Sequence, residues 1–187
     1  MFIMSTNIVV FNTKGGTGKT TIADELCFWL RDREPTSFLN LDAQPGCLHE
    51  TERVPGAQLV VVDTPGRVDS TITKAVRSAG VVVVPIEPSV KSVAVLPSVL
   101  SHIPVGVPVV VVLNGFDYRF RAHQDVDKAV RSMVDIVFTV PRSSMVEQAF
   151  MAGVSVCSFA PKSPVGIGLY SLCSKVYLLA KENARVE

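Results

Sequence analysis

Eight consecutive residues could hold a phosphate chain: Lys14, Gly15, Gly16, Thr17, Gly18, Lys19, Thr20 and Thr21. Glycines in such a loop let the backbone turn its N–H groups inward around phosphate oxygens, and a Cβ there would obstruct the turn. Lys19 is placed to reach the terminal phosphates, and Thr20 can offer its hydroxyl to Mg²⁺. The expected nucleotide contacts are therefore Gly15, Gly16, Thr17, Gly18, Lys19, Thr20 and Thr21. A short apolar run, Ile8–Phe11, precedes the loop, and a helical pattern follows from Lys19. That helix would turn its positive N-terminal end toward the same anion.

The common phosphate-loop pattern is G-x-x-x-x-G-K-[ST]. Here Thr13 stands in place of the first glycine, and a second lysine, Lys14, precedes the others. Lys-Gly-Gly-x-Gly-Lys-Thr resembles the deviant Walker A signature of the ParA/MinD/nitrogenase-iron-protein class. In that class the first lysine reaches across a dimer interface to phosphates held by the other subunit. The resemblance thus implies that Lys14 acts in trans. A cation aimed at phosphates in a water-poor interface is worth far more than one in solvent.

Later segments extend the likeness. Asn40-Leu41-Asp42-Ala43-Gln44 is similar to the family's Asp-x-Asp-x-Gln segment. Asp42 matches the carboxylate that orients the attacking water, and Asn40 replaces the family's first Asp. Val62-Asp63-Thr64-Pro65-Gly66 looks like a Walker B strand and the turn after it. By this resemblance Asp63 holds Mg²⁺ through water, and Gly66 brings a backbone N–H near the γ-phosphate. Asn114 matches the family's base-contacting residue, and its amide can both donate and accept. Asn114-Gly115-Phe116-Asp117 lacks the stacking lysine of the GTPase Asn-Lys-x-Asp pattern, which favours adenine. The implied chemistry is Mg²⁺-dependent ATP hydrolysis, with Lys14, Lys19 and Asp42 in catalytic roles and Thr20 and Asp63 at the metal.

The elements that must position these residues follow from periodicity. Strands are expected at Ile8–Phe11, Thr36–Leu41, Leu59–Asp63, Val81–Pro85, Val107–Asn114, Ile136–Val140 and, as a short edge strand, Ser155–Phe159. Helices are expected at Lys19–Arg31, Asp69–Ala79, Ser89–His102 (bent or interrupted by Pro97), Arg119–Met133, Ser144–Ala152 and Ile167–Lys181. Ala43–Gln58, punctuated by Pro45, Gly46, Pro55 and Gly56, reads as a surface loop with room to move. Strict alternation predicts an α/β fold of the P-loop NTPase kind: a mostly parallel, twisted sheet of about seven strands with helices on both faces. The 187 residues read as a single P-loop ATPase domain.

Composition narrows the classes. Apolar residues make up 48%, which argues against disorder. The valine-rich runs are too short to span a bilayer, and Met1-Phe2-Ile3-Met4 lacks the basic start of a signal peptide, so a cytoplasmic protein is expected. Cys27, Cys47, Cys157 and Cys173 form no Cys-x-x-Cys pair and read as reduced structural thiols. Net charge is +1, so nonspecific DNA binding would need a local patch. Residues 114–187 carry nine basic against seven acidic side chains, with Arg119, Arg121, Arg142, Lys162 and Lys175 as candidate contacts. The resemblance implies a homodimer in the ATP state, a ParB-like stimulating partner, and partition of plasmid, chromosome or other cargo. Three alternatives stay open. A MinD-like membrane regulator would use an amphipathic helix at Ser171–Glu187. An iron–sulfur reductase would need cysteines such as Cys47 and Cys157 to meet across a dimer. A degenerate nucleotide binder with little turnover would follow from Asn40.

Overall fold

A computed structural model describes residues 5–44 and 46–183. Its strands are β1 (Thr6–Val10), β2 (Thr36–Asn40), β3 (Leu59–Asp63), β4 (Ala79–Ile86), β5 (Val109–Phe116) and β6 (Val137–Pro141). Its helices are α1 (Lys19–Arg31), α2 (Ser70–Arg77), α3 (Val90–Leu100), α4 (Arg121–Arg131), α5 (Met145–Met151), α6 (Val156–Phe159) and α7 (Pro164–Asn183). The strands form one sheet in the order β2-β3-β1-β4-β5-β6. Every neighbouring pair is parallel.

Period-two side-chain alternation explains why the strands read as continuous apolar runs. Ile8 and Val10 of β1, Val81 and Val83 of β4, and Val110 and Val112 of β5 face one core, packed by α1, α6 and α7. Val9 and Phe11, Val82 and Val84, and Val111 and Leu113 face a second core, packed by α2, α3 and α4. Both faces are covered, so neither needs polar residues.

The helices begin where polar caps allow. Asp69 accepts the amides of Thr71 and Ile72 and opens α2, while Ser89 accepts Ser92 N and opens α3. Pro97 does not interrupt α3. It lies on the exposed side, where the carbonyl it leaves without a donor can be solvated. In α7, Leu172, Val176 and Leu179 are buried against the sheet.

Two expectations need correction. Ser155–Phe159 is not an edge strand, so the sheet has six strands among the described residues. The segment is a short helix capped by Ser155 Oγ, which accepts Ser158 N at 3.1 Å. Its first amides are held by the Glu25 carboxylate, which accepts Val156 N at 2.7 Å and Cys157 N at 3.2 Å. Ala43–Gln58 does lie at the surface, but it is tied down. Phe38 and Glu52 exchange backbone hydrogen bonds of 2.9 and 2.8 Å. The buried Asp24 carboxylate accepts from Leu48 N, His49 N and Cys47 Sγ and bonds His49 Nδ1 at 2.7 Å. Pro45 lies outside the described residues, as do the N-terminal Met1–Met4 and residues 184–187 of the expected amphipathic helix.

Glu25 carries a large share of this arrangement. Burial pushes its carboxyl above the usual range, against the lowering effect of the two amides. Glu25→Ala leaves both amides buried without an acceptor. It should cost about 2–4 kcal/mol of stability, read from urea denaturation at neutral pH.

Candidate functional site

In the sheet order, the chain leaves β1 toward one side and leaves β4 toward the other. A crevice opens outside the strand ends at such a switch point. The segments after all six strands supply residues that line it.

The loop after β1 is anchored by Asn12. Its Nδ2 donates to Pro85 O at 2.7 Å, and its Oδ1 accepts Lys14 N at 2.9 Å. Gly18 then adopts φ +89°, a conformation that disfavours any Cβ. A Cβ there would also collide with the Asn114 amide. At Gly15 the expectation is corrected, because a Cβ on it would meet open space. The crowding comes from the other side: a Cβ on Gly66 would lie 2.8 Å from Gly15 N. The two turns therefore pack backbone to backbone.

Helix α1 starts on this loop with no side-chain cap and no acidic residue in its first turn. A helix start normally has its N–H groups capped, and an uncapped one is suited to an anion. Beside it lies a cavity of about 500 Å³ lined by Gly15, Gly16, Gly18, Lys19, Thr20, Asp42 and Gly66, among others. The expected phosphate, water-orienting and switch residues thus meet at one place.

The Lys19 ammonium is held inward, donating to Lys14 O at 2.9 Å. Burial lowers its pKa, and Asp63 and Asp42 work against that lowering. Thr20 Oγ1 donates to Asp63 Oδ2 at 2.8 Å. Asp63 is fully buried, and its Oδ1 has no hydrogen-bond partner among the described residues. Burial pushes its carboxyl up to about 6, with the Thr20 bond pulling the other way. An orphaned carboxylate oxygen beside a threonine hydroxyl is the oxygen-donor set that suits Mg²⁺. The residues present fit that ion.

Asp42 sits at the cavity rim, its Oδ1 accepting Gln44 N at 3.0 Å. Asn40 Oδ1 accepts the Asp42 amide at 2.9 Å. Asn40 thus shapes the turn that carries Asp42.

A second cleft of about 470 Å³ opens on the other side of the loop. Its walls include Thr17, Thr21, Asn114, Pro141 and Glu147. Asn114 Nδ2 donates to Thr17 O at 3.2 Å. Thr17, Thr21 and Asn114 therefore border this cleft, Gly16 borders both, and Gly15, Gly18, Lys19, Thr20 and Gly66 line the first. Lys14 stands apart, paired with Glu87 at 2.6 Å.

Sequence reasoning missed Glu87, Asn12 and Arg67, the last of which lines the first cavity. Arg67 directly follows Gly66 and could have been found from that adjacency. Asn12 and Glu87 offer no comparable signal, since their partners lie 73 residues away.

Comparison with known proteins places the family and the fold. The family described as CobQ/CobB/MinD/ParA nucleotide binding domain matches residues 8–156. The chain belongs to that family. Its fold is similar to apo McdA from Cyanothece, with a TM-score of 0.75, 15% identity, and 92% of this chain and 99% of that one covered. It is also similar to the septum site-determining protein MinD from Pyrococcus horikoshii, solved with Mg-ADP. There the TM-score is 0.67, identity is 15%, and 98% of this chain and 100% of that one are covered. A ParA family ATPase from Chlorobium tepidum gives a TM-score of 0.71 at 13% identity, covering 92% of this chain and 99% of that one. At such identities the likeness is one of fold. Among curated protein sequences no match was found.

The Asp63 carboxyl generates a prediction. Its folded pKa lies above the ordinary value of 3.8. The native state therefore holds the proton more tightly than the unfolded chain. The stability it contributes is fully present below about pH 4 and is lost as pH rises to about 6. In EDTA and without nucleotide, Asp63→Asn should stabilise the protein at pH 7.5 by about 2–3 kcal/mol. The gain should vanish toward pH 4, and thermal denaturation across that range is the measurement.

Proposed function

We propose that this chain is a Mg²⁺-dependent ATPase, a single domain spanning residues 1–187, that uses ATP to switch between monomer and sandwich dimer. The observation that carries this reading is the convergence of Lys19, Thr20 and Asp42 on one cavity at an uncapped helix start, with the buried Asp63 carboxylate bonded to Thr20 beside it. Membership of a nucleotide-binding family supports it. Related folds have been solved with Mg-ADP and with ATP.

The triphosphate would lie along the glycine loop, with its γ-phosphate toward Asp42 and Gly66. Lys19 then trades its bond to Lys14 O for phosphate oxygens. Thr20 and Asp63 would hold Mg²⁺, which supplies charge neutralisation for the β- and γ-phosphates when bound. Asp42 orients a water in line with the bond to be broken. The water oxygen bonds to the γ-phosphorus, the bond to the β-phosphate oxygen breaks, and the products are ADP and inorganic phosphate. The ribose and base occupy the second cleft, with Asn114 against adenine. Lys14 completes the phosphate site of a second copy, where low water content strengthens its charge.

Partition or positioning of cargo, with a ParB-like partner stimulating hydrolysis and nonspecific DNA bound by the ATP dimer, is the cellular role that fits. Arg119 contributes least to a DNA surface, because Asp117 accepts from its guanidinium at 2.7 Å. Arg121, Arg142, Lys162 and Lys175 are the remaining candidates. Retention on nonspecific DNA should require ATP and fall steeply with salt. A MinD-like membrane role has less support, because α7 commits Leu172, Val176 and Leu179 to the core. Among the described residues no helix is long and apolar enough to cross a membrane.

Calorimetry and sedimentation test the roles separately. Lys19→Ala should abolish ATP binding, and retained tight binding would refute the loop assignment. Lys14→Ala should keep binding, lose the ATP-driven dimer, and slow hydrolysis roughly 10²-fold or more. Asp42→Ala should keep both binding and dimer while single-turnover hydrolysis stops. A wild-type chain that binds Mg-ATP but hydrolyses none of it in single turnover would leave a nucleotide-binding regulator as the better reading.

A further inference from the structure

Lys14 already has an anionic partner within its own chain. Its ammonium donates to Glu87 Oε2 at 2.6 Å. Glu87 directly follows β4, which neighbours β1 in the sheet. One further tie joins these two segments, and two more hold residue 14 within its own loop. Asn12 Nδ2 donates to Pro85 O at 2.7 Å, and Asn12 Oδ1 accepts the amide of Lys14 itself at 2.9 Å. Lys19 Nζ holds the carbonyl of Lys14 at 2.9 Å. The backbone of residue 14 is thus fixed at both its N–H and its C=O, and its side chain is fixed at the tip.

The side chains of Lys14 and Glu87 are each about half exposed, at 46% and 49%. Such a pair is screened by water and can be exchanged for another anion. A lysine extended to a neighbour's phosphates must leave Glu87, because its single ammonium occupies one place at a time. The Glu87 carboxylate therefore competes with the partner's nucleotide.

We infer that Glu87 is an intramolecular latch that holds Lys14 in the monomer and sets how much a second copy of this chain, loaded with ATP, must offer to capture it. The inference rests on the proposed action of Lys14 in trans. Binding of nucleotide prepares the release. When Lys19 leaves Lys14 O for a phosphate, one of the ties on residue 14 is lost. The remaining ion pair is weak enough to yield to a triphosphate with its multiple negative charges, and strong enough to disfavour a dimer without one. A ligand shifts a two-state element only by its differential interaction with the two states, and here the difference is phosphate against carboxylate.

The test is a double-mutant cycle on the full chain, with AMPPNP and Mg²⁺, read by sedimentation velocity over a range of protein concentrations. Glu87→Gln keeps the shape and removes the charge. An exposed ion pair holds its partners by a factor of roughly 1.5 to 5. Two latches open per dimer, so Glu87→Gln should lower the dimer dissociation constant by about 2- to 25-fold. On a Lys14→Ala background the same substitution should change nothing. A wild type that stays monomeric while Glu87→Gln dimerises would give the same support. Dimerisation unchanged or weakened by Glu87→Gln overturns the latch while leaving the ATP dimer intact. An equal gain on the Lys14→Ala background overturns it too, since Glu87 would then act on the interface directly. If every variant stays monomeric with AMPPNP bound, the sandwich dimer itself is refuted and the latch falls with it.

Discussion

A parallel sheet leaves the N-terminal end of each crossover helix pointing at the strand ends, and α1 arrives there with nothing of its own to accept from it. The loop before it has no capping side chain, and its first turn carries no carboxylate. Exposed N–H groups and a positive dipole end are costly to leave without an acceptor and favourable to place on an anion. The features around them shape this helix start. Glycine is required at residue 18 because the chain turns through a left-handed conformation and passes the Asn114 amide. Gly66 is required because the turn after β3 must lie against the same loop. Lys19, buried and short of partners, bonds a backbone carbonyl.

Rigidity behind the site comes from two apolar layers. Alternate valines of β1, β4 and β5 feed opposite cores, so each strand is fixed from above and below. That leaves polar chemistry only at the strand ends. Asp63 is the clearest instance, a fully buried carboxylate at the last residue of β3, directly under the loop. Thr64 reinforces it by donating to Val10 O at 2.8 Å, which ties β3 to β1 just where both end.

Much of this was legible in the sequence, because it is local. The lysines and glycines of residues 14–21 lie side by side, and the strands are valine runs bounded by turn residues. The illegible parts depend on distant partners. Ser155-Val156-Cys157-Ser158-Phe159 alternates polar and apolar residues as an edge strand does. It is helical because Glu25, 131 residues earlier, accepts its first amides. Asn40 reads in sequence as a departure from the family's first Asp, yet its side-chain oxygen accepts the amide of Asp42. Ala43–Gln58 has the composition of a free loop. Its order comes from Asp24, hidden on the inner face of α1.

Asp24 has a mechanical consequence. It lies five positions into α1, the helix whose first turn faces the anion site, and it grips Cys47, Leu48 and His49. His49 is in turn wedged between the rings of Phe28 and Phe38. The segment that carries Asp42 is therefore bolted at its far end to the same rod that begins at Lys19. A displacement of that rod would carry Cys47, Leu48 and His49 with it, so that Lys19 and the stretch beyond Asp42 are geared to one shaft.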